Sequence, residues 1–190
     1  MRKLIYGCLF SVLLAGVYLW AESPDESRAA AQKLERIAAE MMKPGETVQL
    51  SQDELNSFLK YDYASEIPEG VRDLEVTLIK DYGIAEAVVD FEKLSAVKDS
   101  PLAMFGARLF RGERKLRARC RFVSADGQGK VEVDTVELDG QPLPDFLVEF
   151  LIASTVQETL KDFEPGKPFP LENNLRQIRL EPANVVVISY

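Results

Sequence analysis

"RKLRARCRFVSADGQGKVEVD" (residues 114–134) has apolar and polar residues in alternation on both sides of an Asp-Gly pair. Alternation with a period of two is typical of a strand with one buried face. Asp-Gly commonly occupies the centre of a two-residue hairpin turn. The stretch therefore predicts an antiparallel β-hairpin, with strands at 114–124 and 129–138.

The turn centre also sets the register of this hairpin. On one face it pairs apolar residues: Phe122 with Val131, and Cys120 with Val133. On the other face it pairs opposite charges: Arg121 with Glu132, and Arg119 with Asp134. Opposite charges across a ladder contribute about 0.2–1 kcal/mol each. Three further basic residues lie beyond the acids that this register can pair: Arg114, Lys115 and Arg117.

Composition and charge limit the function classes. The chain has 190 residues, a formal net charge of −8 and 46% hydrophobic residues, which fits one globular domain. Nucleic acid is excluded as a partner, because the basic strand has carboxylates across the ladder and no interleaved aromatic residues for stacking. We expect a solvated face at 114–117, with lipid phosphates of a membrane surface as the alternative contact.

The first 21 residues resemble an export signal. Arg2 and Lys3 precede an uncharged, mostly apolar run at 4–20, and Ala21 follows. This predicts a signal peptide at 1–21 and an exported protein of the periplasm or cell envelope. An uncleaved anchor in the inner membrane is the alternative, since Leu19 stands where a signal peptidase prefers a small residue. Cleavage would remove two of the 23 basic residues and no acid, leaving a net charge of −10.

Two helices are predicted next, each from a capping box. Ser23 and Glu26 form the first box, at the start of an N-terminal helical segment at 22–46. That helix has one apolar face: Ala30, Leu34, Ile37 and Met41. Ser51 and Glu54 form the second box. Its helix runs to about residue 61, and we expect it to bury three side chains: Leu55, Phe58 and Leu59.

The rest of the chain, 47–190, is predicted to form a single α+β domain. Two strands follow residue 70, then an insertion at 93–111, then the hairpin described above. A long apolar helix at 143–163 and a last hairpin from residue 175 close the chain. Antiparallel hairpins with few helices favour a sheet that packs around the long helix.

Sequence motifs for catalysis are not found. The chain has no histidine, which excludes Ser-His and Cys-His mechanisms and the usual nitrogen ligands of metals. There is no P-loop, GxGxxG, GxSxG or HExxH motif. We therefore predict a protein that is not an enzyme, with no catalytic residues, no metal and no cofactor.

Five stretches resemble bacterial envelope proteins of the TULIP-like (tubular lipid-binding) kind. They are "VQLSQDELNSFL" (48–59), "IPEGVRDLEVTL" (67–78), "AEAVVDFEKL" (85–94), "VEVDTVELDGQPLPDFLVEFLI" (131–152) and "PFPLENNLRQIRL" (168–180). The resemblance implies a long helix wrapped by a curved antiparallel sheet, with a groove for a lipid or another apolar ligand. It carries over no catalytic residues, and the insertion at 93–111 departs from the pattern.

The sequence thus predicts an exported protein that binds a lipid or apolar small molecule between the long helix and the sheet. The candidate lining residues on the helix are Phe146, Phe150, Leu151 and Ile152, and a candidate lid consists of Leu102, Phe105 and Leu109. Each could instead be ordinary core packing, with the insertion plugging one end of the core. The competing function is an envelope assembly or scaffold protein with a filled core and no ligand.

Overall fold

The computed structural model describes residues 22–93, 111–152 and 164–190. The three α-helices in these ranges are α1 (Pro24–Ala38), α2 (Gln52–Tyr61) and α3 (Asp145–Leu151). A 3₁₀ turn follows α2 at Ala64–Glu66. The predicted signal at 1–21 and nearly all of the predicted insertion at 93–111 lie outside the described residues.

The strands in these ranges form two antiparallel sheets. The larger sheet has the order β2-β3-β4-β5-β6, and β7 pairs with β5 beside β6. Its strands are β2 (Val71–Ile79), β3 (Tyr82–Asp90), β4 (Glu113–Ala125), β5 (Gln128–Leu138), β6 (Gln141–Pro142) and β7 (Pro168–Pro170). The smaller sheet has the order β1-β9-β8, with β1 (Thr47–Ser51), β8 (Leu175–Glu181) and β9 (Asn184–Ser189).

The predicted α+β class with a long C-terminal helix is wrong. Strands take up 46% of the described residues, so this part of the chain is mostly β. The helix predicted at 143–163 is described only as the seven residues of α3, with residues 153–163 outside the described part. Helical periodicity set the predicted length, yet it identifies an apolar face rather than where a helix ends.

Both predicted helix starts are confirmed. Ser23 and Ser51 each accept a hydrogen bond from the backbone N–H of the glutamate three residues on. The carboxylate of that glutamate accepts a hydrogen bond from the backbone N–H of the serine. The three residues predicted to be buried on α2 are buried. On α1, Met41 was wrongly placed on the apolar face: the helix ends at Ala38, and Met41 is 65% exposed.

The predicted hairpin forms with one correction to its register. Asp126 and Gly127 both have positive φ, as the type I′ turn requires. Phe122 pairs with Val131, Cys120 with Val133 and Arg121 with Glu132. A bulge between Arg119 and Cys120 then shifts the pairing, so Thr135 rather than Asp134 lies opposite Arg119.

The described core has two parts at opposite ends of the larger sheet. One part packs α1, α2 and the smaller sheet onto buried residues at one end of the larger sheet, among them Leu78 and Phe122. The other part lies under α3. Its buried members are Ala87, Val89, Phe91, Leu138, Leu143 and Leu147. The helix α3 therefore stands on its own small core, remote from the helices α1 and α2.

Helix α2 covers the outer edge of strand β2. The buried Asn56 side chain accepts a hydrogen bond from the Val76 N–H (2.8 Å) and donates one to the Val76 carbonyl (3.0 Å). One turn earlier, Gln52 accepts a hydrogen bond from the Leu78 N–H (2.8 Å). Two amide side chains at i and i+4 thus replace a neighbouring strand, which satisfies a sheet edge that would otherwise be open.

Candidate functional site

The predicted site residues differ in whether the structure describes them and in how exposed they are. Leu102, Phe105 and Leu109 lie outside the described residues, as does the side chain of Phe150. Phe146 is 58% exposed at the start of α3. Leu151 is half-buried and packs against the core beneath the helix. Ile152 lines a concave surface beside the helix.

Strands β5 and β6 position helix α3, which follows them directly in the chain. The Leu143 N–H donates to the Val136 carbonyl (2.8 Å), and the two residues of β6 pair with the end of β5. Pro144 is the N-cap, with a backbone conformation that lets its carbonyl accept hydrogen bonds from Leu147 and Val148. Leu147 is buried in the core below, so this face of the helix is fixed to the sheet.

A groove of about 660 Å³ runs between helix α3 and residues 132–136 of strand β5. The helix contributes a stripe at i, i+3, i+4 and i+7: Asp145, Val148, Glu149 and Ile152. Such spacing puts these residues on one helix face. Apolar lining comes from both walls and from the connection between them: Val133, Val136, Leu143, Val148 and Ile152. Glu164, Pro165 and Gly166 also contribute to the lining.

Beside this groove, one edge of strand β5 is only partly paired with neighbouring strands. Strand β7 pairs with β5 only at Gln128–Lys130, and β6 only at Glu137–Leu138. Between them, in the described part of the chain, the edge receives two single hydrogen bonds. Gly166 N–H donates to the Val131 carbonyl (2.7 Å), and Leu143 N–H donates to the Val136 carbonyl. The groove thus lies where the sheet is least covered by its own strands.

The rim of the groove is acidic. Five of the lining residues carry a carboxylate: Glu132, Asp134, Asp145, Glu149 and Glu164. Three of them have cationic partners outside the groove, and Lys130 Nζ lies 2.5 Å from Glu132 Oε1. The hydrogen bond from Lys130 holds the pKa of Glu132 below its ordinary value, so this rim carboxylate is ionised at neutral pH.

Two other concave surfaces among the described residues have a larger share of charged residues in their lining. A surface of about 500 Å³ lies between the end of α2 and the start of β2, and Glu22, Lys60 and Arg72 contribute to its lining. A third, of about 460 Å³, lies over Glu86, Arg117 and neighbouring residues of the larger sheet. Some of these charged side chains have partners of opposite sign: Lys60 with Glu22, Arg72 with Glu113, and Arg117 with Glu86.

The described residues contain no cluster of acids or cysteines suited to hold a metal ion. Cys120 is buried, and burial raises the pKa of its thiol to about 11. A thiol with that pKa stays protonated at neutral pH and is a poor nucleophile. No helix within the three described ranges combines the length and apolar character needed to cross a membrane.

Sequence reasoning missed most of the groove. Val148 could have been found, because it lies on the same helix stripe as the predicted Ile152. Val136 could not, because the bulge interrupts the alternation that placed Val131 and Val133 on the apolar face. The acidic rim was also missed, since acids are common in the chain and their spacing in space is not visible in a sequence.

Two of the three basic residues beyond the predicted charge pairs also have acidic partners in the structure. Arg114 Nη1 lies 2.9 Å from Asp139 Oδ2, and Arg117 Nε lies 3.4 Å from Glu86 Oε1. The partner of Arg117 comes from strand β3, which pairs with β4 on the side away from the hairpin. The basic strand therefore pairs with acids of both neighbouring strands.

Comparison with known proteins gave no match: no protein-family model, no curated protein and no solved structure is significantly similar to this chain.

Proposed function

We propose that this protein is a non-enzymatic binder of a lipid or another apolar ligand, held in the groove between α3 and β5. The observation that carries the proposal is the groove itself, about 660 Å³ with apolar residues on both walls. Binding sites for small molecules typically measure about 300–1,000 Å³ and combine an apolar lining with a few polar groups. The resemblance of the sequence to TULIP-like proteins supports the same class of ligand.

The alternative is an envelope assembly or scaffold protein with no ligand. It predicts that the groove is only a surface depression, which an apolar molecule would not occupy. The two hypotheses therefore differ in one measurable quantity, the affinity of the groove for an apolar probe.

A titration with N-phenyl-1-naphthylamine measures that affinity, because the probe fluoresces strongly in an apolar site. Thr135 lines the groove and is exposed, so Thr135→Trp should fill part of the groove without disturbing the core. We expect this variant to weaken probe binding about tenfold, a free-energy change of about 1.4 kcal/mol. Thr47→Trp is the matched control, since Thr47 is an exposed strand residue of the smaller sheet.

Absence of saturable binding to the wild-type protein would exclude the ligand hypothesis and favour the scaffold. Equal binding by the wild type and by Thr135→Trp would place the ligand elsewhere on the protein. Native mass spectrometry of protein purified from its own host provides the complementary measurement, since a co-purifying lipid would appear as an added mass.

We place this function in the periplasm or cell envelope. The support is the basic start and the apolar run at 4–20, which are typical of an export signal. Intact-mass measurement of the exported protein should give a chain that starts near Glu22. Retention of Met1 would instead favour an anchor in the inner membrane.

A further inference from the structure

We infer that the groove between α3 and β5 selects amphiphiles with a cationic head over those with an anionic head. This inference rests on the proposed function and specifies its ligand class. It starts from the charge of the rim, because an amphiphile whose chain lies in the groove must leave its polar head at that rim.

The lining of the groove is one-sided in charge. Five lining residues are acidic, and none of the described lining residues is lysine or arginine. A carboxylate, phosphate or sulfate head would therefore meet negative charge, with no lysine or arginine side chain in the described lining to receive it. Phosphate and carboxylate sites normally supply arginine or lysine for that purpose.

The acids differ in how far they are neutralised. Asp134 lies 3.2 Å from Arg119, Glu164 lies 2.5 Å from Lys167, and Glu132 has two cationic neighbours. Within the described ranges, Asp145 and Glu149 form no ion pair. These two carboxylates lie one turn apart on α3, so they are the natural contact for a cationic head.

The same helix face also has apolar side chains that can contact the hydrocarbon chain of the ligand. Val148 and Ile152 share the groove-lining stripe with Asp145 and Glu149, so apolar and acidic side chains lie side by side along it. A ligand with an apolar chain next to an amine can contact both kinds of side chain at once. An isolated metal cation or an uncharged hydrocarbon would use only half of this surface.

The test compares amphiphiles with twelve carbons in the chain, counting the carboxyl carbon of dodecanoate, that differ in the head. Dodecyltrimethylammonium, dodecyl maltoside and dodecanoate each compete with N-phenyl-1-naphthylamine for the full-length protein, well below their critical micelle concentrations. We expect the cationic compound to displace the probe at a concentration about fivefold lower than dodecanoate does at low salt. The neutral compound should lie between them. The preference should shrink at 0.5 M salt, since screening shortens the reach of the carboxylates to about 4 Å.

Two double variants separate the local charge from the net charge. Asp145→Asn with Glu149→Gln should bring the ratio between the cationic and anionic compounds close to one. Glu35→Gln with Glu66→Gln is the control, because both residues are exposed outside the groove and the net charge changes by the same amount. The control should keep the wild-type ratio.

Three outcomes would overturn the inference while leaving the proposed function intact. They are equal or tighter binding of dodecanoate, an unchanged ratio in the groove double variant, and an equal change in the control. Failure of every amphiphile to displace a bound probe, or failure of the probe to bind, would instead reject the proposed function.

Discussion

Arg119 and Asp134 form an ion pair, with 3.2 Å between Nε and Oδ2, although they are not opposite each other in the β-ladder. The bulge in β5 adds one residue to that strand, and Asp134 is the residue that falls between two ladder partners. The guanidinium also lies over the Tyr82 ring, 4.2 Å from its centroid. The pair predicted from the sequence thus exists, but the bulge rather than the ladder brings it together.

The first prediction tests this geometry by double-mutant cycles. Arg119→Ala and Asp134→Ala should couple by about 0.2–1 kcal/mol in urea denaturation, the range of partly exposed ion pairs. The cycle of Arg119→Ala with Thr135→Ala is the control. It should show weaker coupling, since these residues face each other in the ladder but form no ion pair. Coupling to Asp134 with none at all to Thr135 would instead indicate the register without the bulge, in which Thr135 lies on the opposite face of the strand.

The second prediction concerns Asn56, whose amide replaces a neighbouring strand at Val76. Asn56→Ala leaves a buried N–H and a buried carbonyl without partners, and each orphaned group costs about 1–3 kcal/mol. We expect the free energy of unfolding to fall by about 2–4 kcal/mol, measured by urea denaturation.

Asn184→Ala is the matched control, because the Asn184 amide makes an exposed hydrogen bond to the Pro182 carbonyl. Its cost should stay within about 0.5 kcal/mol. If the two alanine variants lost equal stability, then Asn56 would not be the group that satisfies the edge of β2 in solution.

The third prediction concerns Cys120, whose pKa burial raises to about 11. In the Cys8→Ser variant, which keeps Cys120 as the one thiol, Ellman's reagent should react slowly at pH 8 and fully in urea. Adding Thr47→Cys supplies an exposed thiol as the control, and that thiol should react at once. Rapid labelling of native Cys120 would show that the hairpin opens readily.

The raised pKa of Cys120 also sets the sign of a pH effect. Because its folded pKa lies above the ordinary value of 9.0, the contribution of the neutral thiol to stability is fully present below pH 9. It is lost as the pH rises through 11. Replacing Cys120 by alanine should therefore flatten the decline of stability in this alkaline range.

The fourth prediction concerns Asp139, at the end of the hairpin. The backbone N–H of Lys115 (3.0 Å) and then the guanidinium of Arg114 (2.9 Å) donate to its carboxylate and hold its pKa below the ordinary value of 3.8. The stability from these bonds is therefore present above about pH 4 and is lost as the pH falls through the folded pKa. Asp139→Asn should reduce the acid sensitivity of unfolding, measured by urea denaturation between pH 2 and 6.

Arg114→Gln provides the comparison, since it removes the smaller of the two causes and leaves the backbone hydrogen bond. Its pH profile should stay closer to the wild type than that of Asp139→Asn. The reverse order of the two variants would show that the Arg114 charge, rather than the backbone N–H, dominates the pKa of Asp139.

Local sequence signals determined much of this protein. The capping boxes at Ser23 and Ser51 placed the starts of α1 and α2, because the cap and its glutamate are three residues apart in the chain. The Asp126-Gly127 pair placed the hairpin turn, since both residues tolerate positive φ. Alternation then placed Cys120 and Phe122 on the buried face. Each of these features depends on neighbours within a few residues.

The tertiary structure decided what depends on contacts between distant parts of the chain. Strand β1 (Thr47–Ser51) was not predicted, because its pairing with β9 joins residues about 140 positions apart. Its five residues carry little signal of their own. The bulge beside Arg119 likewise depends on how the sheet twists, and the cover of β2 by Asn56 depends on where α2 docks.

The candidate site also depends on contacts between distant parts of the chain. Of the helix residues that the structure describes as lining the groove, the sequence predicted Ile152 alone, because helical periodicity marks apolar residues but not the face of α3 that turns toward β5. The wall at Val133 and Val136 and the acidic rim come together only when α3 docks beside residues 132–136 of β5. Packing between elements, which no short-range pattern encodes, therefore decided both the shape of the groove and its charge.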